Sequence, residues 1–194
     1  MPTDPSLPYR APAPRWSDLS RRLRGWSKPA LLALVKDLHD SSPENRRFLQ
    51  ARLQAKQPGG TAAEPYRRLI VEQFFPARGF GRLKLGEARK AIRDYRKASG
   101  DLPSTVELLL TYIENGTEFT RQFGDINETF YDSMESAGNE LRTLLLGEGS
   151  HVYAPLRERL LRLESLADGI GWGYGDFIRD LVAELEAELG GGTP

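Results

Sequence analysis

Positively charged side chains are concentrated in one stretch of this sequence. Residues 78–97 contain eight lysines and arginines against two acidic residues, Glu87 and Asp94. Arginine and lysine contact phosphate oxygens without reading sequence, so a basic helix beside a glycine-containing loop is typical of polyanion binding. These eight side chains form a candidate binding surface, called here the basic surface: Arg78, Arg82, Lys84, Arg89, Lys90, Arg93, Arg96 and Lys97.

A charged outer face is also normal for a surface helix, so the same residues have a second explanation. Residues 1–100 hold 21 Lys and Arg against 9 Asp and Glu, whereas residues 101–194 hold 6 against 18. If the two halves lie against each other, their opposite charges favour docking. The basic surface is therefore either a site for nucleic acid or another polyanion, or one side of an electrostatic contact within or between chains.

A second candidate surface combines polar and aromatic residues with glycines. Residues 169–176 have the sequence GIGWGYGD, which differs from the phosphate-binding GxGxxG pattern and is followed by no lysine. Glycines at alternate positions permit positive φ angles and close backbone approach, as in a loop that presents aromatic side chains. With polar residues from 115–131, the candidate loop surface consists of Asn115, Asp125, Glu128, Tyr131, Trp172, Tyr174 and Asp176.

Carboxylates at helical spacing suggest a third kind of chemistry. Residues 107–118 and 128–135 each contain three acidic side chains that share one helix face. Metal-binding helical bundles use such carboxylates together with a Glu-x-x-His element, but no histidine lies between residues 101 and 150. We therefore expect both stripes to face solvent, with no metal site and no cofactor. An enzyme remains an alternative, and it requires convergence of Asp125, Glu128, Tyr131 and Asp176.

The composition excludes several other classes of protein. The chain has no cysteine and only two histidines, His39 and His151, which excludes a disulfide scaffold and a thiolate nucleophile. No GxSxG motif of a serine hydrolase is present. No apolar run approaches the roughly 20 residues of a membrane span, and residues 1–14 lack the apolar core of a signal peptide. We expect a cytoplasmic protein without membrane association.

The elements that must position these residues are predicted to be helices. From Trp16 onward, apolar residues recur at spacings of three and four, and no stretch alternates like a strand. The clearest helix runs from about Leu85 to Ser99, with Ala88, Ala91, Ile92 and Tyr95 on its buried face. Capping boxes are expected at 61–64, 104–107 and 125–128, and a helix end or kink at 115–116. The predicted fold is all-α, an irregular bundle of about eight or nine helices.

Proline and glycine divide the chain into three predicted parts. Residues 1–15 are rich in proline and poor in large aliphatic residues, so they are expected to form a disordered tail. Residues 16–57 are expected to form an N-terminal helical segment. The sequence QPGG at 57–60 then interrupts the pattern, and residues 61–189 are expected to form the main helical bundle.

Three sequence blocks resemble a family of bacterial all-helical proteins known only as a domain of unknown function. They are FFPARGFGRLKL at 74–85, ENGTEF at 114–119 with FGDINETFYDSM at 123–134, and GIGWGYGD at 169–176. The resemblance spans roughly residues 17–185 and implies that these blocks are family signatures. It brings no activity, cofactor or catalytic residue with it.

The sequence thus favours a non-enzymatic helical interaction or adaptor protein. Helical surfaces dock partners through packed grooves, and this chain has many helices and little evident catalytic chemistry. We expect a protein partner, with a homodimer as one arrangement, contacted through the basic surface and the loop surface. Nucleic-acid or other polyanion binding through residues 78–97 is the first alternative, and an enzyme with a carboxylate-based site is the second.

Overall fold

The computed structural model describes residues 13–54 and 61–191 of the chain. These residues form nine α-helices and one short 3-10 helix at Ser150–Val152, and within them there is no strand, which confirms the all-α prediction. Residues 1–12, most of the predicted disordered tail, lie outside this description. The helices are α1 (Trp16–Leu23), α2 (Lys28–Ser41), α3 (Pro43–Gln54), α4 (Glu64–Phe74), α5 (Leu85–Ser99), α6 (Leu102–Phe123), α7 (Glu128–Leu146), α8 (Tyr153–Ala167) and α9 (Tyr174–Leu189).

The chain divides into two compact units, residues up to 46 and residues from 47 onward. The first unit contains α1, α2 and the start of α3, and none of its described residues is buried. Ser27 and Ser42 cap α2 and α3, since their hydroxyls accept hydrogen bonds from the backbone N–H of Ala30 (3.3 Å) and Asn45 (3.1 Å). The predicted break at 57–60 lies outside the described residues, so the proposed domain boundary stays a prediction.

The second unit is built around α6, which packs against α4, α5, α7 and α8. Twelve of its 22 residues are buried, which makes it the central helix of this unit. The predicted helix end at 115–116 is wrong, because α6 continues through Gly116 to Phe123. Gly116 faces α7, where a Cβ atom would overlap the sulfur of Met134. The glycine therefore permits close packing of two helices instead of ending one.

Helix α5 follows the prediction closely. It spans Leu85–Ser99 and buries the predicted face together with Ala98. Gly100 ends it in the left-handed conformation, with φ of 65°. Because the apolar period and the stop signal are both local, the sequence was sufficient to define this helix.

The predicted capping boxes do not form as expected. Asp101 caps α6 by accepting from the backbone N–H of Ser104 at 3.3 Å, and Asn127 caps α7 by accepting from Phe130 N–H at 3.0 Å. Helix α4 starts after Ala63 without a side-chain cap. Asp125 is consequently free of a capping role. Among the described residues, no helix is long and apolar enough to cross a membrane.

Candidate functional site

Three loops of the second unit lie together at the C-terminal end of α6. They are the α4–α5 loop (75–84), the α6–α7 loop (124–127) and the α8–α9 loop (168–173). The ring centroids of Phe80 and Phe123 are 4.7 Å apart, and Arg121 Nη1 donates to the carbonyl oxygen of Asp168 at 3.2 Å. The name three-loop surface is used for nine exposed side chains at this end: Arg78, Phe80, Arg82, Arg121, Phe123, Asp125, Glu128, Asp168 and Trp172.

The α4–α5 loop is held against the end of α4 while its aromatic residue faces solvent. Leu83 N–H donates to the Gln73 carbonyl at 3.0 Å, and a Cβ atom on Gly81 would overlap the carbonyl of Phe74. Only glycine therefore allows this approach. The Phe80 ring packs at 5.3 Å from buried Phe119, yet the side chain remains 61% exposed.

A hydrogen-bonded chain of hydroxyls supports the α6–α7 loop. The Tyr131 hydroxyl donates to Asp125 Oδ1 at 2.7 Å and lies 2.7 Å from Thr120 Oγ1. Gly124 precedes Asp125 with φ of 88°, which turns the chain sharply at the end of α6. Burial raises the pKa of Tyr131, so its phenol stays protonated and keeps donating at neutral pH.

The α8–α9 loop presents Trp172 in a conformation that is uncommon for a large residue. Its φ is 61° and its side chain is 59% exposed. The indole stacks on the Tyr131 ring at a centroid distance of 6.4 Å. A Cβ atom on Gly171 would lie 3.4 Å from Asp125 Oδ2, so the two loops are in close contact. A left-handed tryptophan costs roughly 1–2 kcal/mol, and the packing around it must offset that strain.

Tyr174 lies beneath this loop and is fully buried. Thr117 donates to the Ile113 carbonyl at 2.8 Å, so the Tyr174 hydroxyl, 2.6 Å from Thr117 Oγ1, acts as the donor to Thr117. Burial raises the pKa of Tyr174. The residue thus anchors the first turn of α9 and supports the three-loop surface without being part of it.

The structure brings together some of the predicted loop-surface residues, whereas others have different contacts. Asp125, Tyr131 and Trp172 are in contact. Asn115 instead lines an open groove of about 590 Å³ between α6 and α8, where its side-chain amide donates to the Thr111 carbonyl at 2.7 Å. Asp176 is exposed and forms an ion pair with Arg179 on its own helix.

Half of the basic surface pairs with carboxylates. Arg89 Nη2 lies 2.8 Å from Glu140 of α7, and Arg96 lies 3.6 Å from the same carboxylate. Lys84 and Lys90 pair with acidic residues on α5 itself. Within the part of the chain that the structure describes, the four cations without a carboxylate partner are Arg78, Arg82, Arg93 and Lys97.

The acidic stripe at 107–118 does not face solvent throughout, contrary to expectation. Arg159 of α8 binds both carboxylate oxygens of Glu114, at 2.9 and 2.7 Å, and also pairs with Glu107. These carboxylates raise the pKa of Arg159. The stripe therefore holds α8 against α6. No group of three or more acidic or histidine side chains within 13–54 and 61–191 is arranged to hold a metal ion.

Sequence reasoning missed Phe123 as a surface residue. It belongs to a group of four phenylalanines, with Phe75, Phe80 and Phe119, whose neighbouring rings lie 4.7 to 6.5 Å apart. The side chain of Phe123 is 44% exposed. Its position in the last turn of α6, directly before Gly124, was a signal that it would lie at a helix end.

No family model, curated protein or solved structure matches this chain. The resemblance carried by the three sequence blocks accordingly stays a prediction.

Proposed function

We propose that this chain is a non-enzymatic interaction protein that binds its partner through the three-loop surface. One observation carries the proposal: the exposed rings of Phe80, Phe123 and Trp172 come from three separate parts of the chain and lie at one end of the second unit. Aromatic side chains contribute a large share of the binding energy at protein interfaces. Exposed apolar groups that cluster in this way are typical of docking sites.

The support beneath these rings favours a preformed site. Hydrogen bonds join Tyr131 to Asp125 and Tyr174 to Thr117, and glycines at 124 and 173 have positive φ angles. A surface that is rigid before binding loses less conformational entropy when a partner docks. Strained backbone such as that of Trp172 is found preferentially at functional sites.

The enzyme alternative receives less support. Of its four residues, Asp125 and Tyr131 are in contact, while Asp176 pairs with Arg179. A general acid or base works best when its pKa lies near the operating pH, but burial moves the pKa of Tyr131 further above neutrality. The Asp125–Tyr131 pair is better suited to holding a loop than to transferring a proton.

Affinity capture with the purified chain as bait tests the proposal. We expect Trp172→Ala and Phe80→Ala each to reduce recovery of the specific partner about tenfold or more, because each removes a large contact side chain. Leu53→Ala is the matched control, since Leu53 is 75% exposed on α3 and its neighbour Arg52 contacts Lys97, at the end of α5 opposite to the α4–α5 loop. Equal recovery by wild type and both aromatic variants would contradict the proposal.

A further inference from the structure

We infer that the partner is a second copy of this chain, and that two three-loop surfaces pair with each other across a two-fold axis. The inference rests on the proposed function, which makes this surface the docking site. It goes further by naming the occupant, because charge is distributed around the aromatic rings in a self-complementary way.

One side of the three-loop surface is positive. Arg78 and Arg82 lie two residues to either side of Phe80 and are exposed. Neither has a carboxylate partner within the described residues. Their guanidinium groups are therefore available to an acceptor from outside the chain.

The other side has a net negative charge, with three carboxylates against one arginine. Asp125 follows Phe123 by two residues, Glu128 is exposed at the start of α7, and Asp168 is exposed in the α8–α9 loop. The arginine is Arg121, which is exposed and donates to the backbone carbonyl of Asp168. Glu128 and Asp168 have no side-chain hydrogen bond or ion pair in the part of the chain described. Asp125 accepts only through Oδ1, from Tyr131, so Oδ2 remains available beside Gly171.

Two contacts, together with neighbourhood along the chain, give the order of these groups across the surface. The two arginines flank Phe80, Phe80 touches Phe123, Phe123 leads to Asp125, and Asp125 adjoins the loop that carries Trp172. A surface that is positive at one side, apolar in the middle and negative at the other is complementary to a copy of itself rotated by 180°. In such an isologous contact each favourable pairing forms twice.

The chemistry of the facing groups fits this arrangement. An arginine from one protomer would contact a carboxylate and an exposed indole on the other. A guanidinium group binds a carboxylate by paired hydrogen bonds and an indole by a cation–π contact. Phe80 and Phe123 would form the apolar centre, as is usual for dimer interfaces. A nucleic acid fits less well, because Asp125, Glu128 and Asp168 would repel its phosphates.

Complementary charge reversal tests the inference directly. We expect the wild-type chain to show a concentration-dependent monomer–dimer equilibrium in analytical ultracentrifugation across the micromolar range. The double variant Arg78→Glu/Arg82→Glu, and separately Glu128→Arg/Asp168→Arg, should each weaken the dimer about tenfold or more, since like charges would then face each other. An equimolar mixture of the two variants should regain dimerisation, as a heterodimer.

The control variant Arg93→Glu/Lys97→Glu changes net charge by the same amount as the first variant, at exposed cations on the outer face of α5. It should dimerise like wild type. Circular dichroism spectra and melting temperatures establish that each variant is folded.

Three outcomes would overturn the inference: a wild-type chain that is monomeric throughout, a dimer insensitive to both charge reversals, or a mixture that fails to recover. The proposed function is judged separately by affinity capture. A monomeric chain that still captures another protein through Trp172 would leave the proposed function standing and reject only the second copy.

Discussion

Gly116 illustrates how a single residue sets the distance between two helices. It is buried in the middle of α6, and the Met134 side chain of α7 occupies the space where a Cβ atom would project. Glycine inside a helix costs about 0.5–1 kcal/mol relative to alanine. The close contact between α6 and α7 must offset this cost.

We expect Gly116→Ala to lower the free energy of unfolding by about 1–3 kcal/mol. The added methyl group would overpack against Met134, and the free-energy cost of this overpacking exceeds the gain from higher helix propensity. Gly86→Ala is the matched control, since Gly86 lies in the first turn of α5 with no atom near its missing Cβ. That variant should be neutral or slightly stabilising. Urea denaturation measures both, and equal stability of the two variants would show that α6 and α7 can separate without cost.

At the scale of elements, a single carboxylate links α5 to α7. Glu140 accepts from Arg89, whose side chain is only 15% exposed, and pairs with Arg96 at 3.6 Å. This contact joins the basic and acidic halves of the sequence. Two of the eight cations of the basic surface, Arg89 and Arg96, are therefore paired within the chain.

Glu140→Gln should destabilise the fold by about 1–3 kcal/mol, because it leaves the partly buried Arg89 without a charged acceptor. Glu148→Gln, at an exposed residue without a partner among those described, should change stability by less than about 0.5 kcal/mol. Thermal and urea unfolding provide the comparison. If both variants unfold alike, Glu140 does not hold α5 against α7.

The same pairing predicts weak polyanion binding by α5. Because Arg89 and Arg96 share Glu140, and Lys90 pairs with Asp94, Arg93 and Lys97 are the two cations of this helix that have no carboxylate partner among the described residues. We expect the chain to elute from heparin below physiological salt concentration, with no change in the variant Lys90→Ala/Arg93→Ala/Lys97→Ala. Strong, steeply salt-dependent retention that this variant loses would make polyanion binding the leading function.

Across the whole molecule, buried tyrosines predict the response to alkali. Six of the seven tyrosines are buried, and burial raises the pKa of each one. The seventh, Tyr9, lies outside the described residues. The pKa rises to about 12 for Tyr66, Tyr112 and Tyr153. Folding thus keeps these phenols protonated at pH values where an unfolded chain would ionise them.

A raised folded-state pKa contributes stability below the unfolded value of 10.0, and this contribution is lost as pH rises towards about 12. We expect loss of helical circular dichroism and a rise in tyrosinate absorbance to occur together, in one transition between these pH values. If most tyrosines ionised at their ordinary pKa while the chain remained fully helical, the burial of these six side chains would be contradicted.

The sequence by itself determined the helical class and the details of α5, because apolar periodicity and a terminal glycine act within one or two turns. The cap assignments at 104 and 125 were wrong for a related reason: several polar residues competed locally, and the spacing alone did not decide between Asp125 and Asn127.

Only the tertiary structure decided what depends on contacts between distant residues. Gly116 lies inside a helix at a point where Met134 packs closely, and Arg89 is paired because α7 brings Glu140 to it. Phe80 contacts Phe123, and Trp172 stacks on Tyr131 in a third loop at the same end of the second unit. No local sequence pattern encodes these long-range contacts, since they form when helices pack around α6 and bury their apolar faces together.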